Sequence, residues 1–129
     1  MRDLNIVTLR GRLGQDAEIR HTPTGKKVTV LSVATNRSYK DKQTGEWKDG
    51  KTEWHRCLCW EKKGEKAATL KKGELVQVTG TLTSREYEKD GVKRQVWEVR
   101  VNDLLKVAAF EVAGEDETGT DQQDEEIPY

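Results

Sequence analysis

Residues 52–60 read TEWHRCLCW. In a strand every second side chain faces the same way, so Thr52, Trp54, Arg56, Leu58 and Trp60 share one face and Glu53, His55, Cys57 and Cys59 the other. If the tryptophan face were the interior, Arg56 would be buried between two rings without an evident carboxylate partner, which is costly. Free cysteine packs as a small hydrophobe, so turning the cysteine face inward is the easier solution. The outward face then carries two indoles flanking a guanidinium. The competing reading keeps Trp54 and Trp60 as ordinary barrel core.

Working outward, residues 4–13, 28–35, 75–83 and 92–101 also alternate and are rich in β-branched and aromatic residues, which makes five predicted strands. Residues 61–72, EKKGEKAATLKK, hold helix formers and end before Gly73, a residue type suited to the position after a helix. A short helix is therefore expected between the third and fourth strands. TPTGKK at 22–27, YKDKQTGEWKDGK at 39–51 and YEKDGVK at 87–93 mix turn residues with lysines and read as hairpin loops. Gly11 and Gly80 fall inside strands, where glycine marks a bulge or bend. Five strands, a helix after the third and bending glycines describe an all-β OB-fold, a Greek-key barrel that binds oligonucleotides on one face and its loops. An SH3-like barrel is the alternative.

The charge is unevenly spread. Residues 111–129 hold eight acidic residues and no Lys or Arg, which leaves 15 acidic and all 23 basic residues to residues 1–110, a formal +8 against −8. A basic body suggests a polyanionic partner and an acidic tail either a competitor for it or a docking peptide. The expected organisation is a barrel domain at 1–110 and a disordered acidic tail at 111–129. MRDLNIVTLRG has no apolar run of signal-peptide length and nothing in the chain reads as a membrane span, so a cytoplasmic protein is expected.

An outward platform of tryptophans suits unpaired nucleic acid, because every base has a flat π face and stacking is worth about 1–3 kcal/mol per base with little sequence preference. A duplex hides those faces. Phosphate contacts are expected from Arg56, Lys62, Lys72 and Arg85, with Lys42 and Lys48 in the long loop; for any single lysine, simple solubility is the competing reading. His55, Cys57 and Cys59 are poor metal ligands together, since successive same-face positions lie about 6.6 Å apart while zinc binds sulfur at about 2.3 Å. No nucleophile–base pair or paired carboxylates stand out, so neither a metal, a cofactor nor an enzymatic activity is expected.

TEWHR at 52–56 with Trp60, LGQDAEIR at 13–20, LSVATNRSYKDKQTGEWK at 31–48 and DEEIPY at 124–129 together resemble the bacterial single-stranded DNA-binding protein family, which has chromosomal, plasmid and phage members. The resemblance covers most of residues 3–104 and the last six residues. It implies that Trp54 and Trp60 stack on single-stranded DNA, joined by Tyr39 and Tyr87, where many members have tryptophan. It places His55 near a subunit interface and implies a homotetramer built as a dimer of dimers. Oligomerisation would also supply buried area that a chain only 33% hydrophobic has trouble finding alone. Trp47 matches no family contact; it is either a local addition or folded back on the barrel.

By the same resemblance Asp124, Glu125, Glu126, Ile127, Pro128 and Tyr129 form a docking tip. Ile127, Pro128 and Tyr129 would fill an apolar pocket on DNA replication, recombination and repair proteins, a basic residue there taking the terminal carboxylate. This is the setting of a nucleoid-associated protein active in the SOS response. Tyr129 replaces the phenylalanine with which many members end. Two readings compete with a coating protein: a primosome-type adaptor, which would bind a strand weakly, and an RNA-binding OB module.

Overall fold

The structure, a computed structural model, describes residues 2–108. The acidic segment from 111 and the tip 124–129 lie outside them. The elements run β1 (Val7–Leu13), β2 (Glu18–His21), β3 (Lys27–Lys40), β4 (Trp47–Trp60), α1 (Lys62–Ala67), β5 (Leu75–Lys89) and β6 (Val92–Lys106). The sheet order is β1-β5-β6-β4-β3-β2, and a further β1–β3 pairing closes β1, β5, β6, β4 and β3 into a five-stranded barrel. Every pairing is antiparallel except β4 with β6, which meet at Cys57↔Val99 and Leu58↔Arg100. With the helix between its third and fourth strands, this is the OB-fold.

Alternation decides what fills the barrel. Leu31, Val33, Cys57, Cys59, Val76, Val78, Val99 and Val101 are all buried in one apolar cluster with Leu13, Leu70 and Leu104. The cysteines therefore face inward, each at 0% exposure, and burial pushes both thiols up to about 12. They stay protonated at neutral pH and pack as hydrophobes.

Closing the barrel brings backbones into contact at two glycines. A Cβ on Gly11 would strike the Ala34 carbonyl, and one on Gly80 the Arg100 carbonyl. Gly80 also sits at the register shift between β5 and β6, the bulge its position predicts.

Three expectations need correction. The sequence predicts five strands, and the structure has a sixth: the four-residue β2 pairs Glu18–His21 with Lys27–Val30. It occupies the part of the β3 edge that β1 leaves open, since β1 meets β3 only at Val33 and Ala34.

The helix is six residues long and stops at Ala67, short of the predicted Lys72. Leu70 turns into the core at 4% exposure while its carbonyl accepts from Ala17 N–H at 3.0 Å. Burying that leucine ends the helix, and Gly73, at φ 89°, makes the later turn into β5.

The loops are also shorter than predicted, because β3 and β4 run on to the pair Lys40↔Trp47 and β5 and β6 to Lys89↔Val92. Asp90 and Gly91, at φ 54° and 77°, form the two-residue turn that an Asp-Gly pair favours. Both hairpins thus project as arms, with exposed side chains along most of their outer length.

Candidate nucleic-acid interface

Cross-strand partners put Val28, Val30, Ser32 and Ala34 of β3 opposite Trp60, Leu58, Arg56 and Trp54 of β4, all on the outer side of the barrel. Trp60 packs half-buried on Val28, Val30 and Leu58, a small apolar cluster separate from the barrel core. Trp54 is half-buried, and its ring lies so close to Gly14 that a Cβ there would collide with it. Both indoles are therefore seated on the outer wall and belong to neither the interior nor free solvent.

Arg56 has the carboxylate partner that the sequence does not reveal. Its Nε donates to Glu98 Oε2 at 2.8 Å, and Arg85 Nε donates to Glu98 Oε1 at 2.9 Å. Glu98 is 2% exposed, against 15% and 24% for the two guanidinium side chains. Two cations share one buried anion, which leaves one net positive charge held in a fixed geometry on the outer wall. An ion pair so covered is a weak source of stability, because desolvation offsets attraction; its effect is to fix where the guanidinium edges point.

The remaining predicted contacts are dispersed. Lys62 is exposed at the first turn of α1. Lys72 is exposed, and its backbone N–H donates to Asp16 Oδ1 at 2.8 Å, tying it to the loop whose Gly14 abuts Trp54. Lys42 is exposed in the β3–β4 turn, and Lys48 pairs with Asp41 at 2.9 Å.

Tyr39 is 51% exposed and opposes Lys48, on the face of that hairpin opposite to Lys40 and Trp47. Tyr87 sits on β5 two residues from Arg85 but is only 9% exposed, so within one chain its ring is covered. His55 lies on the inward side of β4 with its Nε2 2.9 Å from Thr35 Oγ1, and burial pulls its pKa below the ordinary value despite Glu53 nearby.

Two residues escape sequence reasoning. Glu98 is 42 positions from Arg56, and only the parallel β4–β6 pairing brings them together. Trp97, 58% exposed on β6, stands opposite Ser84; its strand was legible, but not its exposure.

Residues 4–107 match the Single-strand binding protein family. A solved structure of Plasmodium falciparum SSB in complex with ssDNA is 32% identical, with a TM-score of 0.68 over 84% of this chain and 98% of that one.

Proposed function

The chain belongs to the single-strand binding protein family, and from that premise we propose that it binds and coats single-stranded DNA, holding strands apart and shielding them from nucleases. The observation that carries this reading is the outer wall: Trp54 and Trp60 seated on either side of a guanidinium pair locked by Glu98. Bases stack on the indoles whatever their identity, and phosphates meet the arginines together with the lysines around them. Counterion release then makes affinity fall steeply with salt. The similarity to a structure that contains ssDNA supports the choice of ligand.

The finer parts of the proposal rest on the sequence. The tip Asp124–Tyr129 recruits replication, recombination and repair proteins. The working form is a homotetramer, a dimer of dimers with His55 near a subunit interface, in the cytoplasm at the nucleoid. Exposed Leu4, Ile6 and Leu105, at 81%, 63% and 48%, support assembly because a single chain leaves them in water.

The test is a tryptophan-fluorescence titration with oligo(dT), with duplex and oligo(U) controls, at low and high salt. Strong quenching by dT, little by duplex, and weaker binding at high salt are expected. A folded protein whose fluorescence dT leaves unchanged would sink the proposal, and equal affinity for oligo(U) would turn it toward an RNA-binding module.

A further inference from the structure

The β3–β4 hairpin carries a tryptophan that the reading above leaves without a role. Counted back from Trp54 by strict alternation, Trp47 falls on the face of His55 and Cys57, away from the platform. The register overturns that count. Ala34 opposes Trp54 and Asn36 opposes Thr52, but Ser38 then opposes Asp49 and Lys40 opposes Trp47. Between Thr52 and Asp49, β4 uses three steps where β3 uses two, so a bulge at Gly50 and Lys51 shifts the alternation of β4 by one residue. On the unbulged β3, residues 34, 36, 38 and 40 share a face. Trp47, opposite Lys40, is therefore returned to the side that carries Trp54.

Its surroundings suit a ligand. Trp47 is 71% exposed, more than any other aromatic among the described residues. Lys40 lies directly across the ladder, at a spacing of about 5 Å between Cβ atoms, which sets a cation beside the indole. The hairpin that presents them is tied together: Asp41 N–H donates to Glu46 O at 2.8 Å and Gly45 N–H to Asp41 O at 2.8 Å. The Asp41 carboxylate is held below its usual pKa range by Gln43 N–H and then Lys48. Lys48 thus neutralises Asp41, while Lys40 is the cation across the ladder from the ring and Asp49, opposite Ser38, is the acidic neighbour on the same face.

We propose that Trp47 and Lys40 form a further stacking station for single-stranded nucleic acid, extending the path from Trp54 out along the β3–β4 hairpin. The proposal rests on the single-strand-binding reading and goes beyond it in naming a site seven residues, or about 20 Å of extended strand, from Trp54. A base stacks on the indole while its phosphate meets Lys40. A short oligonucleotide seated at Trp54 does not reach the station, and a long one does.

The experiment compares the full-length chain with Trp47→Ala, Trp47→Phe and Lys40→Gln, each titrated with short and long oligo(dT). Trp47→Ala should lose about tenfold in affinity for long dT, the equivalent of one stacked base, and nothing for short dT. Trp47→Phe should recover most of the loss, and Lys40→Gln should flatten the salt dependence for long dT only. A variant with Trp54, Trp60 and Trp97 changed to Phe, leaving Trp47 as the sole indole, should be quenched by saturating long dT.

If Trp47→Ala binds long dT like the parent while Trp54→Ala is weakened, the station is wrong and the single-strand reading stands. Loss of affinity without quenching of the sole indole overturns direct stacking. A parent that ignores dT sinks both ideas.

Discussion

The two faces of β4 divide the work of one strand. Inward, Cys57 and Cys59 disappear into the apolar core, inert as thiols. Outward, Trp54, Arg56 and Trp60 stay at the wall, where Gly14 abuts the Trp54 ring, the carboxylate of Glu98 holds Arg56, and Trp60 packs on Val28, Val30 and Leu58. A period of two residues thus separates what keeps the barrel folded from what meets a ligand. Stability and affinity should therefore respond to different residues of the same small sheet.

The sharpest way to break that division is from the inside. Leu31 is 1% exposed beside Cys57, and Leu31→Ala should cost about 3 kcal/mol of unfolding free energy in a denaturant titration. The protein that remains folded should bind dT as before, and a matching loss of affinity would show that the faces are coupled.

Next is the outer face. Trp54→Ala should weaken dT binding by about 2 kcal/mol, with the smaller change in the unfolding midpoint. A larger effect on stability than on affinity would return Trp54 to the core.

Glu98 stands on the boundary, so Glu98→Gln should register on both scales. A neutral amide keeps an acceptor oxygen for only one of the two arginines and turns a donor NH2 toward the other, so one charge-assisted hydrogen bond is lost, an expected cost of about 1.5 kcal/mol in chemical denaturation. It also adds one net positive charge to the wall, so the slope of log affinity against log salt should steepen by about one. An unchanged slope would mean that these arginines do not meet phosphate.

The smallest effect belongs to His55. Its folded pKa is depressed, mainly by burial, below the ordinary value of 6.5. The unfolded chain therefore takes up the proton first, so His55 favours the folded state fully above that value and the advantage fades as pH falls through it. His55→Gln should flatten the decline of the melting temperature between neutral and mildly acidic pH.

Much of this division was legible in TEWHRCLCW, because alternation is a local signal and two cysteines that pack as hydrophobes name the inward face; the penalty expected for covering Arg56 is instead offset by Glu98, 42 positions away. The five barrel strands were legible for the same reason. What escaped depends on contacts between distant parts of the chain. EIRH at 18–21 has no alternating apolar pattern, and β2 exists because β1 leaves part of the β3 edge unpaired.

The β3–β4 arm is exposed on both faces, with Tyr39 on one and Trp47 on the other, so no apolar alternation marks where strand gives way to turn. The helix prediction ran too long because propensity does not register the pull of the core on Leu70. Tyr87, read as a stacking ring, is covered although Arg85 two residues earlier keeps partial access. Exposure of that kind follows from packing between strands.

The single parallel seam of the barrel has a consequence for the order of folding. β3–β4 and β5–β6 are hairpins of neighbouring sequence, units that form in about 1–10 μs. The seam at Cys57↔Val99 instead joins residues 42 positions apart, so it pays loop-closure entropy before it gains contacts. The same event brings Glu98 to Arg56. A chain still being synthesised at residue 90 already has β4 with its tryptophans, but not the strand that fixes the guanidinium between them. The binding wall is completed only when the last strand docks, so partly made chains lack it.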